Sequence, residues 1–277
     1  MSLSIHTNFA SLVTQNTLNK NNGLLSTAMQ RLGTGLRINS AADDAAGLQI
    51  ANRLTSQTRG LAVAQRNSQD AISLLQTADG ALDEISSIAF RMKDLALQSA
   101  NGSNTTKDRT ALNAEYQELQ KEATRILTDT TYGGSKIFGE ILNAEVKFQI
   151  GVTGAEKLEA NLTTEITALT NGSNTTTAGN ISDADAANTA IGAMDTLIDA
   201  VGAARAKLGA NINRLDHTIN NLASIAQNTE AAKGRIMDAN FAVESSNMTK
   251  QQMLMQSGIS VLGNSNQLTG LVASLLR

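Results

Sequence analysis

The sequence predicts a mainly α fold: an elongated, fold-back helical bundle with long coiled-coil-like helices and a small β-hairpin region. Three observations predict it. Apolar residues recur in alternating steps of four and three along Ala71, Leu75, Ala78, Leu82, Ile85, Ala89, Met92 and Ala96, which is the seam of a coiled coil rather than a broad globular face. The 277 residues include no proline, the strongest helix breaker. There is no tryptophan, and two Tyr and five Phe are the only aromatics, so the interfaces should be thin and lined by Ala and Leu. A helix from Asp43 to Ser99 would be a rod about 85 Å long, at about 1.5 Å per residue. It needs partner helices, and the rest of the chain can supply them.

Taken in order, residues 1–42 contain no acid and carry only Lys20, Arg31 and Arg37 as fixed charges. Their heptad-like column is Leu18, Asn22, Leu25, Met29, Leu32 and Leu36, preceded by an out-of-phase stripe at Ile5, Phe9 and Leu12. A helix with so few charges should be covered on more than one side. Residues 43–131 hold the long helices of a rod. Ser40 and Asp43 have capping-box spacing before the first of them, and Asp43 and Asp44 suit a helix N-terminus better than a catalytic carboxylate pair. Asn101-Gly102 supplies the stop. A second helix from about Thr106 to Thr130 has Thr105 and Asp108 at its start, and a seam of Leu112, Tyr116, Leu119, Ala123 and Ile126.

Residues 132–182 change period. Val146, Phe148 and Ile150 alternate with Lys147 and Gln149, and Leu158, Ala160 and Leu162 alternate after a turn near Gly154, a β-hairpin pattern. Residues 166–182 are Thr-, Asn- and Gly-rich and read as a variable surface loop. The hexapeptide NGSNTT occurs at Asn101–Thr106 and again at Asn171–Thr176, with no repeat architecture around it. Ser182 and Asp185 repeat the capping spacing and open a return helix over 183–234. Its seam includes Ile191, Met194, Ile198, Val201, Leu208, Ile212, Leu215, Ile219 and Leu222, interrupted by Arg205. Residues 235–277 form a last helix whose columns are Leu254, Val261, Leu268, Leu275 and Phe241, Met248, Met255, Leu262, Thr269, Leu276. From Gln251 onward only Arg277 is charged. Met248, Met253 and Met255 read as packing residues rather than a soft-metal site.

Composition narrows the function classes. A net charge of −3 gives no sign of a nucleic-acid partner. The absence of cysteine excludes disulfides, thiolate metal sites and a Cys nucleophile. No basic segment followed by an apolar run marks a cleavable signal peptide, and no window approaches a membrane span of about 20 apolar residues. No nucleophile–base pair, phosphate-binding glycine loop or metal cluster supports an enzyme, and no cofactor is implied. Two charge-poor, heptad-patterned ends side by side would leave apolar surface in water, where helices without tertiary packing are marginal. They should order on assembly. A contact between copies that does not close on itself gives a helical polymer.

Three long runs carry a family resemblance: GLRINSAADDAAGLQIANRL (Gly35–Leu54), LDEISSIAFRMKDLALQSAN (Leu82–Asn101) and SSNMTKQQMLMQSGISVLGNSNQ (Ser245–Gln267), with SLLR at Ser274–Arg277. The chain resembles bacterial flagellin over about residues 1–165 and 185–277, in a short form lacking large outer domains. The resemblance implies the subunit of the swimming filament, extracellular and exported through the flagellar type III channel without a cleaved leader. It places 1–42 and 235–277 in an inner tube and 43–234 in the surrounding rod. Polymerisation would then fall to Leu18, Leu25, Met29, Leu32, Leu36, Phe241, Met248, Leu254, Met255, Val261, Leu262, Leu268, Leu275 and Leu276. The rod seam would be Leu75, Leu82, Ile85, Met92, Leu112, Leu119, Ile198, Leu208, Ile212, Leu215, Ile219 and Leu222.

Implied partners are further copies of the chain, an export chaperone on the C-terminal helices, filament cap and hook-junction proteins, and an animal Toll-like receptor. The receptor-matching positions are Arg91, Leu95 and Glu115, with Phe90 where glutamine is usual; subunit contact is the simpler role for them. The zinc-protease insert of some flagellins is excluded, because His6 and His217 are the only histidines and no HExxH occurs. Two rival readings are a hook–filament junction protein and a chemoreceptor signalling rod. NSAADDAAGLQIA and the SLLR ending favour flagellin over the first, and the second should follow a transmembrane segment.

Overall fold

The computed structural model describes residues 7–173 and 179–275, with side chains outside 170–173 and 268–275. Among the described residues, six α-helices run in the order α1 (Phe9–Thr34), α2 (Ala45–Ala100), α3 (Thr106–Asp129), α4 (Thr163–Ser173), α5 (Ala184–Met237) and α6 (Phe241–Leu275). Between α3 and α4 lie two hairpins, β1 (Thr131–Tyr132) with β2 (Ser135–Lys136), and β3 (Val146–Gln149) with β4 (Lys157–Ala160). The chain forms two compact units: Met1–Thr58 with Gln227–Arg277, and Arg59–Ala226. No helix among the described residues is long and apolar enough to cross a membrane.

The unit of residues 59–226 has a continuous core. On α2, Leu75, Ala78, Ile85, Ala89 and Ala96 are fully buried, as are Met194, Val201, Leu208 and Leu215 on α5. Arg205, which interrupts the α5 seam, sits at the edge of this core, its Nε 2.9 Å from Asp79 and its Nη1 2.6 Å from Asp83. The i,i+4 spacing of the two aspartates puts both on one face of α2, so the one polar position of the seam is met by two acceptors from the facing helix. Lys93 pairs with Asp195 farther along the same two helices. Ser99, buried, donates to the carbonyl of Ile181 at 2.5 Å, fixing the chain just before α5. α3 adds Tyr116, Ala123 and Leu127 to the core. Burial in an apolar site pushes the Tyr116 phenol up to about 12.

The hairpins close one side of this core. Gly133 (φ 60°) and Gly134 (φ 91°) make the two-residue loop between β1 and β2, the backbone such tight hairpins require. β3 and β4 pair antiparallel, Phe148 opposite Leu158 and Val146 opposite Ala160. The next segment differs from expectation: residues 163–173 are α4, not loop. Leu162, Ile166 and Leu169 are buried at helical spacing, so the apolar stripe outweighs the low helix propensity of the intervening Thr residues.

Two of the three expected caps also differ. Asp43 accepts from the N–H groups of Asn39 and Ser40, closing the loop before the helix, while Asp44 caps α2 by accepting from Gly47 N at 2.8 Å. A Cβ at Gly47 would lie 2.5 Å from Asp44 Oδ2, so the cap and the glycine go together. At α5 the cap is Asp183, accepting from Ala186 N at 2.8 Å, not Ser182. In both cases an aspartate nearer the first turn, four positions beyond Ser40 and one beyond Ser182, reaches the free N–H groups better. The Thr105–Asp108 box of α3 forms with both reciprocal bonds.

Candidate assembly surface

The smaller unit is built on α1 and α6. Asn8 caps α1, its Oδ1 accepting from Ser11 N at 3.1 Å, and Gly35 stops it at φ 72° with its N–H donating to Arg31. Asn240 opens α6 by accepting from Ala242 N and Val243 N at 3.1 and 3.3 Å. Between these ends the helices pair antiparallel in one register. Asn8 Nδ2 donates to the Ser265 carbonyl at 3.1 Å, and Ser265 Oγ donates back to Asn8 Oδ1 at 3.3 Å. Leu18 lies over Gly258, where a Cβ would be 3.0 Å from its Cδ2. Arg31 Nη1 meets Glu244 Oε1 at 3.1 Å. Beyond the helices the register continues as backbone pairing: Arg37 N donates to the Met237 carbonyl, and Ala239 N to that of Gly35 at 2.9 Å.

The line between the helices is partly polar. Leu25 and Ala28 are buried there, but so are Ser11, Asn21, Glu244 and Ser265. Of the residues expected on this surface, Leu25 is buried, and Leu18, Leu32, Leu36, Met248, Met255 and Leu262 are half-buried. Met29, Phe241, Leu254 and Val261 are exposed, Phe241 by 63%. The side chains of Leu268 and Leu275, and Leu276 altogether, lie outside the described residues. A helix with one neighbour can cover only one stripe, so Leu254 and Val261 of one α6 column, and Phe9 and Leu12 of the out-of-phase stripe on α1, face outward within a single chain. Column reading missed further exposed apolar side chains: Val13 and Leu24 on α1, and Val243, Met253 and Ile259 on α6. The signal for them was the scarcity of charge, which left apolar residues on every side of these helices. Phe9 and Leu12, from the out-of-phase stripe, are 72% and 62% exposed.

In the other unit Leu75, Leu82, Ile85, Met92, Leu208, Leu215 and Leu222 are buried; Leu112, Leu119, Ile198, Ile212 and Ile219 are half-buried. Leu222 packs with Leu61 and Ala64 in a separate small cluster. Among the four positions considered for receptor or subunit contact, Arg91 donates through Nε and Nη2 to Glu115 Oε1 at 2.9 and 2.6 Å, both side chains exposed. Phe90 is exposed beside them, whereas Leu95 belongs to the core. His217 is exposed and His6 lies outside the described residues. No group of three or more metal-ligating side chains occurs among the described residues.

Comparison with known proteins supplies the context. Residues 5–142 match the bacterial flagellin N-terminal helical region and residues 191–276 the bacterial flagellin C-terminal helical region. A flagellin of Halalkalibacterium halodurans is 43% identical over 90% of this chain and 91% of its own. A flagellin of Listeria monocytogenes is 36% identical over 99% of both. A solved structure described as a flagellar hook-associated protein of Vibrio parahaemolyticus shares the fold, with a TM-score of 0.54 and 18% identity over 71% of this chain and all of that one.

Proposed function

This chain belongs to the bacterial flagellin family, and on that premise we propose how its surfaces serve the filament. It is a structural subunit of the extracellular flagellar filament that drives swimming, and it polymerises with copies of itself. In the proposed arrangement residues 1–42 and 235–277 form the inner tube, and residues 43–234 the surrounding rod. The observation that supports it is the set of exposed apolar side chains on α1 and α6, Phe9, Leu12 and Met29 on one helix and Phe241, Ile259 and Val261 on the other. Burying one such side chain completely contributes about 1.5–3 kcal/mol. Six together would exceed the lower part of the ~4–15 kcal/mol that association costs, and neighbouring copies are the surfaces available in a polymer to cover them.

The same side chains suit the remaining partners. Before export, a chaperone would cover the apolar columns from Phe241 to Leu276, and export would proceed without a cleaved leader. Filament cap and hook-junction proteins would meet the polymer at its ends. For Phe90, Arg91 and Glu115 we favour contact between subunits over recognition by an animal Toll-like receptor, because Leu95 is 1% exposed and is not available to a receptor. The family is a structural one, and no catalytic residue or cofactor is assigned.

The test is salt-induced assembly followed by electron microscopy. Ile259→Asp, a carboxylate at a position 61% exposed in the single chain, should leave the helix content of the soluble subunit unchanged and its melting nearly so, because most of the replaced side chain faces solvent. It should abolish filaments, since an unpaired charge would be buried between copies. Filaments of normal length from this variant would place the inner tube elsewhere.

A further inference from the structure

The turn between α2 and α3, the described copy of the NGSNTT hexapeptide, has a chemistry that the filament does not use. Asn101 and Gly102 are exposed, and nothing lies within 4 Å of a Cβ built on Gly102. Three hydrogen bonds converge on the pair. Ser103 N donates to the side-chain carbonyl Oδ1 of Asn101 at 3.1 Å, an Asx turn that curls the side chain over the Gly102 peptide nitrogen. The Asn101 backbone carbonyl accepts from Asn104 N at 3.2 Å and from Arg109 Nη2 at 3.1 Å. Arg109 is held for this by its Nε, which donates to the Ser99 carbonyl at 2.9 Å. Among the described residues the Gly102 N–H donates to no acceptor.

We propose that Asn101–Gly102 is a self-modification site, at which the turn catalyses loss of the Asn101 side-chain amide. The Gly102 N–H gives its proton to solvent base. The negative charge this leaves is shared with the Asn101 backbone oxygen, where the Arg109 guanidinium and Asn104 N–H stabilise it. The amide nitrogen attacks Asn101 Cγ, forming a carbon–nitrogen bond and a tetrahedral centre whose oxygen is the Oδ1 already bonded to Ser103 N–H. The Cγ–Nδ2 bond then breaks and the nitrogen leaves as ammonia with a proton from solvent, closing a succinimide. Water opens either carbonyl, giving an aspartyl or an isoaspartyl residue at position 101, with no oxidant or reductant. Gly102 suits this role because it places no side chain against the approaching Cγ. The product carries a negative charge at the C-terminal end of α2, where the helix dipole disfavours it and Arg109 offsets it. This inference does not depend on the filament reading.

The experiment follows the intact folded protein at mildly alkaline pH, with mass spectrometry of the tryptic segment Asp94–Lys107 and enzymatic methylation of isoaspartate as readouts. The comparator is the synthetic peptide of that segment, which lacks Arg109 and the fold. Asn101 should convert faster in the folded protein than in the peptide, while Asn104 in the same segment keeps its amide. Arg109→Gln should slow conversion about tenfold, the rate equivalent of one charge-assisted hydrogen bond to a developing anion. Conversion in the folded protein no faster than in the peptide would overturn the proposal. So would an unchanged rate in Arg109→Gln with an unaltered circular dichroism spectrum.

Discussion

Single polar residues in this chain act by closing small rings with the backbone, and their neighbours decide which of them does so. Thr105 and Asp108 form the full capping box because no competing acid stands between them and the first turn. At α2 and α5, Asp44 and Asp183 take that place, so a spacing rule correct at one helix misassigned the cap at two others. The Asp108 carboxyl is held below its ordinary value, first by the Thr105 hydroxyl and then by the Thr105 backbone N–H. A carboxylate that is more acidic when folded contributes stability present above its unfolded value of about 3.9, and lost as pH falls through the lower folded value. The thermal midpoint of the soluble subunit should therefore decline below about pH 5, and decline less steeply in Asp108→Asn. Parallel slopes for the two proteins across that range would remove Asp108 from the acid response. The arginine in the α5 seam finds its partners at long range instead. Arg205 read from the sequence as an interruption, because its acceptors, Asp79 and Asp83, lie on a helix more than a hundred residues away in sequence.

At the scale of elements, long helices were legible because each repeats one instruction many times. The four-three spacing of α2 predicted a line of residues that the structure buries throughout, whereas on α5 Met194, Val201, Leu208, Leu215 and Leu222 are buried and Ile191, Ile198, Ile212 and Ile219 only half-buried; Leu95 and Leu197 show that the buried face is wider than a two-helix seam. α4 was obscured by its Thr-rich composition, yet Leu162, Ile166 and Leu169 carried a helical stripe that periodicity alone could have found. The β3–β4 turn illustrates contacts that leave no pattern at all. Val152 of that turn lies against Gly60 of α2, where a Cβ would come within 2.8 Å of Val152 Cγ1. Alanine in place of an exposed helical glycine normally gains about 0.8–1 kcal/mol, and here it meets an overpacking cost of about 1–3 kcal/mol. Gly60→Ala should thus fail to stabilise, and should lower the chemical-denaturation midpoint. Val152→Ala in the same chain should restore the propensity gain, leaving the double variant more stable than Val152→Ala alone. Additive effects of the two substitutions would show that the turn does not rest on Gly60.

Taken whole, the molecule handles its apolar residues in two ways. Residues 59–226 close a core that buries Tyr116, Phe138 and a line of Leu, Ile and Met side chains, so this unit has the packing that stabilises helices in water. α1 and α6 share one partly polar line of contact and turn large apolar side chains to solvent. That difference was legible in the sequence as a scarcity of charge at both ends, but which side chains face outward was not. It depends on the register fixed by Asn8 with Ser265 and Arg31 with Glu244, partners separated by more than two hundred residues. Local opening is easiest where buried apolar contacts are few. Mild protease applied to the monomer should therefore remove residues 1–42 and 235–277 and leave a resistant fragment of about 43–234. In the polymer, where neighbouring copies cover the same helices, cleavage at both ends should slow by the ratio of closed to open forms. Assembly and protection are thus coupled quantities, and Ile259→Asp should separate them by leaving both ends cleavable at protein concentrations and salt that protect the native sequence. Intact ends in material shown by sedimentation to be monomeric would mean that α1 and α6 are stable as an isolated pair, and their exposed apolar face would then need an explanation other than assembly.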